Sequence, residues 1–264
     1  MKRSGALLLV LAMVLCFSAC NGVYSVSIEE YADASKYSAG DAEFSASSVK
    51  AIKVDYAGDV TVVTGAADMV KVSEKCTKDL EDKYRLHTYL DDDGVLYVKF
   101  AESGAKFEKE LVNWHEDFPK SLTISVPEEL ALSEFEFDIA AGNTEIEVGE
   151  CKKVAIDAAA GNVKFYGADV DEFDLDMAAG NCSAGFGVAP SNSDFDLAAG
   201  DLDIILPSDA GVTLTIDKAV GSFDYDFPFE KSGNKYVAGD GGCLMAIDMA
   251  AGDVSIKGAV PKEG

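Results

Sequence analysis

The sequence predicts an all-β protein, a parallel β-solenoid or β-helix-like stack with rungs of about 20 residues, preceded by a short β-module. Three observations predict it. First, one phrase returns along the chain: Phe137-Asp138-Ile139-Ala140-Ala141-Gly142-Asn143 reappears around Gly161, Gly180, Gly200 and Gly252, with a decayed copy at Ile216-Asp217-Lys218-Ala219-Val220-Gly221-Ser222. The glycine-to-glycine steps are 19, 19, 20, 21 and 31 residues. Second, apolar and polar residues alternate on both sides of each glycine. Phe135, Phe137 and Ile139 interleave with Glu136 and Asp138, and Thr144, Ile146 and Val148 with Glu145 and Glu147; this is the period of a half-buried strand. Third, a unit of this length cannot hold two strands and a helical crossover of about a dozen residues. A meander of hairpins in a sandwich is the alternative; equal spacing and an identical corner favour stacking.

The elements follow in chain order. Met1-Lys2-Arg3 and the apolar run from Ala6 to Phe17 read as a secretory signal peptide over residues 1–19, too short to span a membrane. It closes on Phe17-Ser18-Ala19-Cys20, which resembles a bacterial lipobox, although Phe17 stands where leucine is usual. That resemblance implies lipidation of Cys20 and a lipoprotein anchored to the outer face of the cell membrane. The alternative is an ordinary signal cleaved after Ala19. Residues 20–48 read as a lipid-anchored tether that orders near Tyr37 to Phe44.

Residues 49–128 read as an N-terminal β-module. It holds a shortened copy of the repeat, Val54-Asp55-Tyr56-Ala57-Gly58-Asp59-Val60, and a hairpin about Asp91-Asp92-Asp93-Gly94. Residues 129–258 hold the regular rungs. In each, glycine permits positive φ at a corner, and the two alanines before it are expected where room is short. The 31-residue step before Gly252 carries an excursion from Phe223 to Phe229, with a turn at Ser232-Gly233-Asn234, that reads as a terminal cap. Residues 259–264 are a tail.

Without residues 1–19 the chain carries 20 basic and 47 acidic residues, a net charge of −27. An acidic surface of this strength argues against nucleic acid and anionic lipid headgroups as partners. Apart from Cys20, the mature chain holds Cys76, Cys151, Cys182 and Cys243, without zinc-site spacing. Repeat alignment places Cys151 with Leu132 and Val170, and Cys182 with Thr144, Val163, Leu202 and Val254, as small core hydrophobes.

The lipobox, the segment from Lys36 to Phe44, the strand-turn from Val54 to Val60 and the repeated Ala-Ala-Gly-Asn/Asp corners together resemble the bacterial putative-adhesin domain, over residues 30–258. These are β-solenoid domains of lipoproteins, mostly of Gram-positive bacteria. The resemblance implies a cell-envelope protein with an adhesion, scaffold or envelope-stress role, and no catalytic residues to carry over.

Three candidate sites stand out. Asp138, Asp157, Asp176, Asp196, Asp217 and Asp248 would stack about 4.8 Å apart on the outward face of parallel strands. Such a ladder either recruits weakly bound Ca²⁺ or is solvated turn chemistry, the reading favoured here; no other cofactor is expected. Asn143, Asn162, Asn181, Asp201 and Asp253 form a second polar column. Trp114, within Asn113-Trp114-His115-Glu116, is either a glycan contact or a plug between modules. His87 reads as a surface residue of the hairpin.

No Gly-x-Ser-x-Gly, HExxH or P-loop motif occurs. The functional expectation is a non-catalytic membrane-anchored protein that contacts cell wall, glycan or protein. The alternative is a polysaccharide-active β-helix enzyme working through surface carboxylates. A solute-binding lipoprotein would need α/β lobes that the pattern does not encode.

Overall fold

The computed structural model describes residues 26–107 and 120–259. The signal peptide, Cys20, Trp114 and most of the tail lie outside the described residues.

The chain forms two facing stacks of parallel strands, one built from the segments before each corner glycine and one from those after it. In the first stack Val95–Lys99, Ala51–Tyr56 and Glu134–Ile139 are followed by the second half of Thr144–Ala160, the second half of Val163–Ala179, Asn192–Ala199, Cys243–Ala251 and Val212–Val220. In the second, Lys120–Pro127 and Asp59–Gly65 are followed by 144–148, 163–167, Cys182–Phe186, Leu202–Pro207, Val254–Ala259 and Phe223–Asp226. Thr144–Ala160 and Val163–Ala179 each run through both stacks, so one strand leaves a corner and the same strand approaches the next.

The inward residues of both stacks make one core. Phe135, Phe137, Ile139, Ile146 and Val148 are all buried. Phe165 of the second stack meets Phe173 of the first at 4.7 Å between ring centroids, and Phe186 closes on Phe173 at 5.3 Å. Cys151 and Cys182 are buried free thiols in the predicted columns: Cys151 pairs with Leu132 and Val170, Cys182 with Val163 and Leu202.

The corner explains its glycine. At Gly161, φ is +125°, and an added Cβ would run into the carbonyl oxygen of Gly142 in the rung below. The same obstruction repeats up the stack, so both the conformation and the space exclude a side chain. The alanines before the glycine do not serve that purpose. Ala159, Ala178, Ala198 and Ala250 are exposed. They face solvent beside the aspartates and leave a low, flat strip, which corrects the expectation that crowding selects them.

Rung order departs from chain order at one end. Gly252 lies on Gly200, and Gly221 lies on Gly252, so the copies run 58, 142, 161, 180, 200, 252, 221 in space. The chain passes outward to the Gly221 rung, makes its excursion, and returns to fill the slot it left. The outermost rung is therefore the decayed one. Lys218 occupies the column of Ile139, Ala158, Met177, Leu197 and Met249. A lysine is tolerated there because the position faces the open end of the stack, as terminal repeats require. Its ammonium donates to the carbonyl of Gly221.

Antiparallel strands cover the ends and blunt exposed edges. At one end Lys235–Ala238 lies against Val212–Val220, and Glu230–Ser232 lies against Lys235–Ala238. At the other, His87–Leu90 and Ser38–Ala39 extend the first stack, while Met69–Cys76 and Ala42–Ser45 extend the second. Segment 28–48, expected as a tether ordering only near Tyr37, is thus part of the folded body. Tyr31 already anchors it through a hydroxyl hydrogen bond to Ala101 O at 3.1 Å. His87 is buried, with Nδ1–H donating to Arg85 O at 3.0 Å, so it is not the surface residue expected. The strand it occupies is covered by Ser38–Ala39, an added strand that the local pattern does not announce.

The end near Lys120 holds a buried ionic network. The Lys120 ammonium, 3% exposed, lies 2.7 Å from Glu74 Oε1 and donates to the carbonyls of Tyr84 and Phe100 at 2.8 and 2.7 Å. Tyr56 and the Leu86 amide donate to the same carboxylate. Burial pulls the Lys120 ammonium down to about 8, against the pull of Glu74.

Candidate functional site: the aspartate ladder

Strand register brings the six predicted aspartates into one column, in the spatial order 138, 157, 176, 196, 248, 217. Alternation turns them away from the core, since Phe137, Ile156, Leu175, Phe195 and Ile247 beside them are buried. Two residues extend the column beyond what the repeat suggested. Asp55 pairs with Asp138, and Lys99 pairs with Asp55 at 3.2 Å between ammonium and carboxylate. The signal for Asp55 lay in the shortened copy before Gly58; nothing local pointed to Lys99.

The ladder is therefore capped by a cation at one end only. Among the described residues, Asp55 is the one ladder carboxylate with an ion pair. On the neighbouring outward positions Lys53 pairs with Glu134 and Glu136, and Lys153 with Asp174, which offsets part of the acidic charge there. Like charges spaced at strand distance repel, and partial burial adds to the penalty on ionisation. Burial, with the charges of Asp55 and Asp157, pushes the Asp138 carboxyl up to about 7. Asp157 is raised by burial and by Asp176, and Asp196 by burial and by Asp194, Asp248 and Asp176.

Toward the decayed rung the face dips into an open depression of about 470 Å³ lined by Asp176, Asp196, Asp248 and Asp217, with small alanines between them. Each carboxylate comes from a different strand and all project in parallel. Among the described residues, no three acidic, cysteine or histidine side chains converge as a group that would hold a metal ion. The row suits loose, water-mediated contact with cations more than the six to eight oxygens that enclose Ca²⁺.

The second polar column has a structural job. Asn181 N donates to Asn162 Oδ1 at 3.2 Å, Asp201 N to Asn181 Oδ1 at 2.9 Å, and Asp253 N to Asp201 Oδ1 at 3.0 Å. Asn162, Asn181 and Asp201 each receive the backbone amide of the next rung, and Asn143 Oδ1 accepts from Asn162 Nδ2, so the column stitches the corners together. This is the turn chemistry expected of Asn and Asp, carried between rungs rather than within one.

The Asp138 carboxyl keeps its proton up to about 7, as a general acid would, and lies beside other carboxylates at strand spacing. It sits on an open sheet face, however, and among the described residues Cys76, Cys151, Cys182 and Cys243 are free thiols outside the ladder. A cluster of four tyrosines at the capped end, formed by residues far apart in sequence, escaped the sequence reading altogether.

Residues 127–257 match the model of the family described as Toastrack DUF4097, a β-helix-like solenoid. A putative cell adhesion protein from Clostridium sporogenes aligns over 84% of this chain and 100% of its own, with a TM-score of 0.51 and 14% identity. A putative adhesin from Parabacteroides distasonis aligns over 83% and 96%, with a TM-score of 0.34 and 13% identity. One from Bacteroides fragilis aligns over 82% and 95%, with a TM-score of 0.33 and 10% identity. The first of these likenesses is one of fold. No curated protein matches the chain.

Proposed function

We propose, for a chain whose residues 127–257 match the Toastrack DUF4097 family model, that it is an exported lipoprotein which binds at the cell envelope without catalysis. In this reading Cys20 carries the lipid and holds the solenoid at the outer face of the membrane. The rigid stack then serves as a stiff platform for contact with cell wall, glycan or protein, in adhesion, scaffolding or stress sensing.

The observation that carries the reading is the ladder face itself. It is long, flat and repetitive, with identical side chains at each step and alanines rather than loops between them. A catalytic cleft needs unlike groups held around one point, with water excluded. A repeated flat face suits multivalent contact, in which many weak interactions add. The similar protein from Clostridium sporogenes, described as a putative cell adhesion protein, supports the same direction.

Fractionation of cells making the wild-type chain and the Cys20→Ser variant tests the anchor. The wild type is expected in the membrane fraction and the variant in the soluble extracytoplasmic fraction. Retention of the variant on the membrane would overturn lipid anchoring. Co-sedimentation of the full chain with purified cell wall, with and without chelator, tests binding and its dependence on cations at the ladder.

The enzyme reading has one observation in its favour, the raised pKa of Asp138. Release of reducing ends from wall polysaccharide, abolished by Asp138→Asn, would establish it in place of the binding role.

A further inference from the structure

At the Lys99 end of the ladder face, two distant segments build a small aromatic pocket. Tyr89 and Tyr97 oppose each other across the hairpin with rings 6.2 Å apart and inclined by 13°. Tyr37 leans against them, its ring 5.4 Å from Tyr89 and 6.4 Å from Tyr97, and Tyr31 packs on Tyr37 at 4.7 Å. The 31–37 segment is pinned in place: Tyr31 N donates to Ser103 Oγ at 3.0 Å and Tyr31 OH to Ala101 O at 3.1 Å. Together with Asp33 and Asp91 these rings bound a half-enclosed pocket of about 240 Å³. At roughly 30 Å³ per water, that is room for about eight waters, the scale of one compact ring.

The charges at the pocket restrict its occupant. The Lys36 ammonium pairs with Asp33 at 3.2 Å and stands 5.3 Å from the Tyr89 ring centroid. The Lys99 ammonium pairs with Asp55 at 3.2 Å and stands 5.6 Å from the Tyr31 ring centroid. The chain's own cations thus occupy cation–π positions that a cationic ligand would need. An anion would meet Asp33, Asp91 and a strongly acidic protein. What fits is a neutral ring with one apolar face for tyrosine and hydroxyls for the polar rim. The rim offers both partners. The Tyr37 hydroxyl has no hydrogen bond among the described residues, and burial raises its pKa above the usual phenol value, so it stays protonated and a donor. Asp91 accepts the amides of Asp93 and Val95 through Oδ1, and its carboxylate also bonds to the Tyr97 hydroxyl; with about four lone-pair sites it can still accept from a ligand hydroxyl.

We infer that this tyrosine pocket binds the ring of a neutral sugar at the end or side of a glycan. The inference rests on the reading of the chain as a non-catalytic envelope binder, and supplies a ligand class and a site for it.

Saturation-transfer NMR on the full chain, in a detergent without sugar headgroups, tests it with methyl glycosides of glucose, galactose and N-acetylglucosamine as probes and choline as the cationic competitor. The expected result is millimolar binding of at least one glycoside. Tyr89→Ala should weaken it tenfold or more with an unchanged melting temperature, and Tyr37→Phe, which keeps the ring, should weaken it by a smaller factor. Preference for N-acetylglucosamine would point to wall glycan and preference for galactose to a foreign surface; either supports the pocket. Binding of choline but no glycoside, or glycoside binding unchanged in both variants, would overturn the inference. If glycosides fail to bind while the chain still sediments with cell wall, the pocket is refuted and the envelope-binding role stands.

Discussion

Gly221 rests on Gly252, not on Gly200: a side chain at Gly221 would collide with the carbonyl oxygen of Gly252, and Asp217 pairs in register with Asp248. The last repeat in sequence is therefore internal, and the decayed repeat is the outer wall. This arrangement places Val254–Ala259 inside the stack, hydrogen-bonded on both sides by Leu202–Pro207 and Phe223–Asp226.

Truncation after residue 242 tests that order. It would remove the Gly252 rung from between two neighbours and leave the Gly221 rung without its parallel partner. Such a chain is expected to lose the cooperative unfolding transition of the C-terminal rungs in a denaturant melt, rather than only fray at its end. A transition unchanged in midpoint and slope would place the Gly252 copy at the periphery.

The corner glycines give the sharpest stability prediction. Gly180→Ala puts a Cβ where φ is +132° and where Gly161 O leaves no space. Destabilisation of about 3 kcal/mol or more is expected from strain and displaced backbone together, read from urea unfolding. Gly233→Ala, at a turn where nothing lies near the added carbon, should fall well below that although its φ is also positive.

Breaking the buried ion pair should be comparably severe. Lys120→Met leaves Glu74 buried with two neutral donors and no cation. A loss of about 3–5 kcal/mol is expected. Adding Glu74→Leu should restore part of it, because the stranded charge is then gone.

Most of this frame was legible because the repeat fixes two things at once: the alternation that sends Phe137 inward and Asp138 outward, and the glycine that turns the chain. Cys151 and Cys182 could be placed for the same reason, since alignment of equal-length rungs is alignment in space. The 31-residue step broke that equivalence. Copies at Gly221 and Gly252 look alike locally, and only long-range pairing decides which lies outside; Lys218 in a core column was the available clue. The tyrosine pocket was illegible for a related reason. Tyr31 and Tyr37 sit in a segment without periodicity, and its docking against Tyr89 and Tyr97 depends on contacts about 50 to 70 residues apart, such as Lys36 to Tyr89 and Tyr31 to Ser103.

The ladder sets a pH dependence of definite sign. Asp138 binds its proton more tightly folded, at about 7, than the ordinary carboxyl near 4. Asp157, Asp194 and Asp196 shift the same way. Between those limits the folded state holds more protons than the unfolded one, so stability falls as pH rises from about 4 to 7. Asp138→Asn should raise the melting temperature at pH 8 and flatten its slope with pH. The gain is about 1–2 kcal/mol after allowance for solvent screening of a part-exposed group.

The ladder-facing account of function meets its most direct test in a binding isotherm of the full chain on purified cell wall, with reducing ends counted in the same samples. Saturable binding with no new reducing ends is the predicted result. Absence of binding, or release of sugar in proportion to added protein, would contradict it.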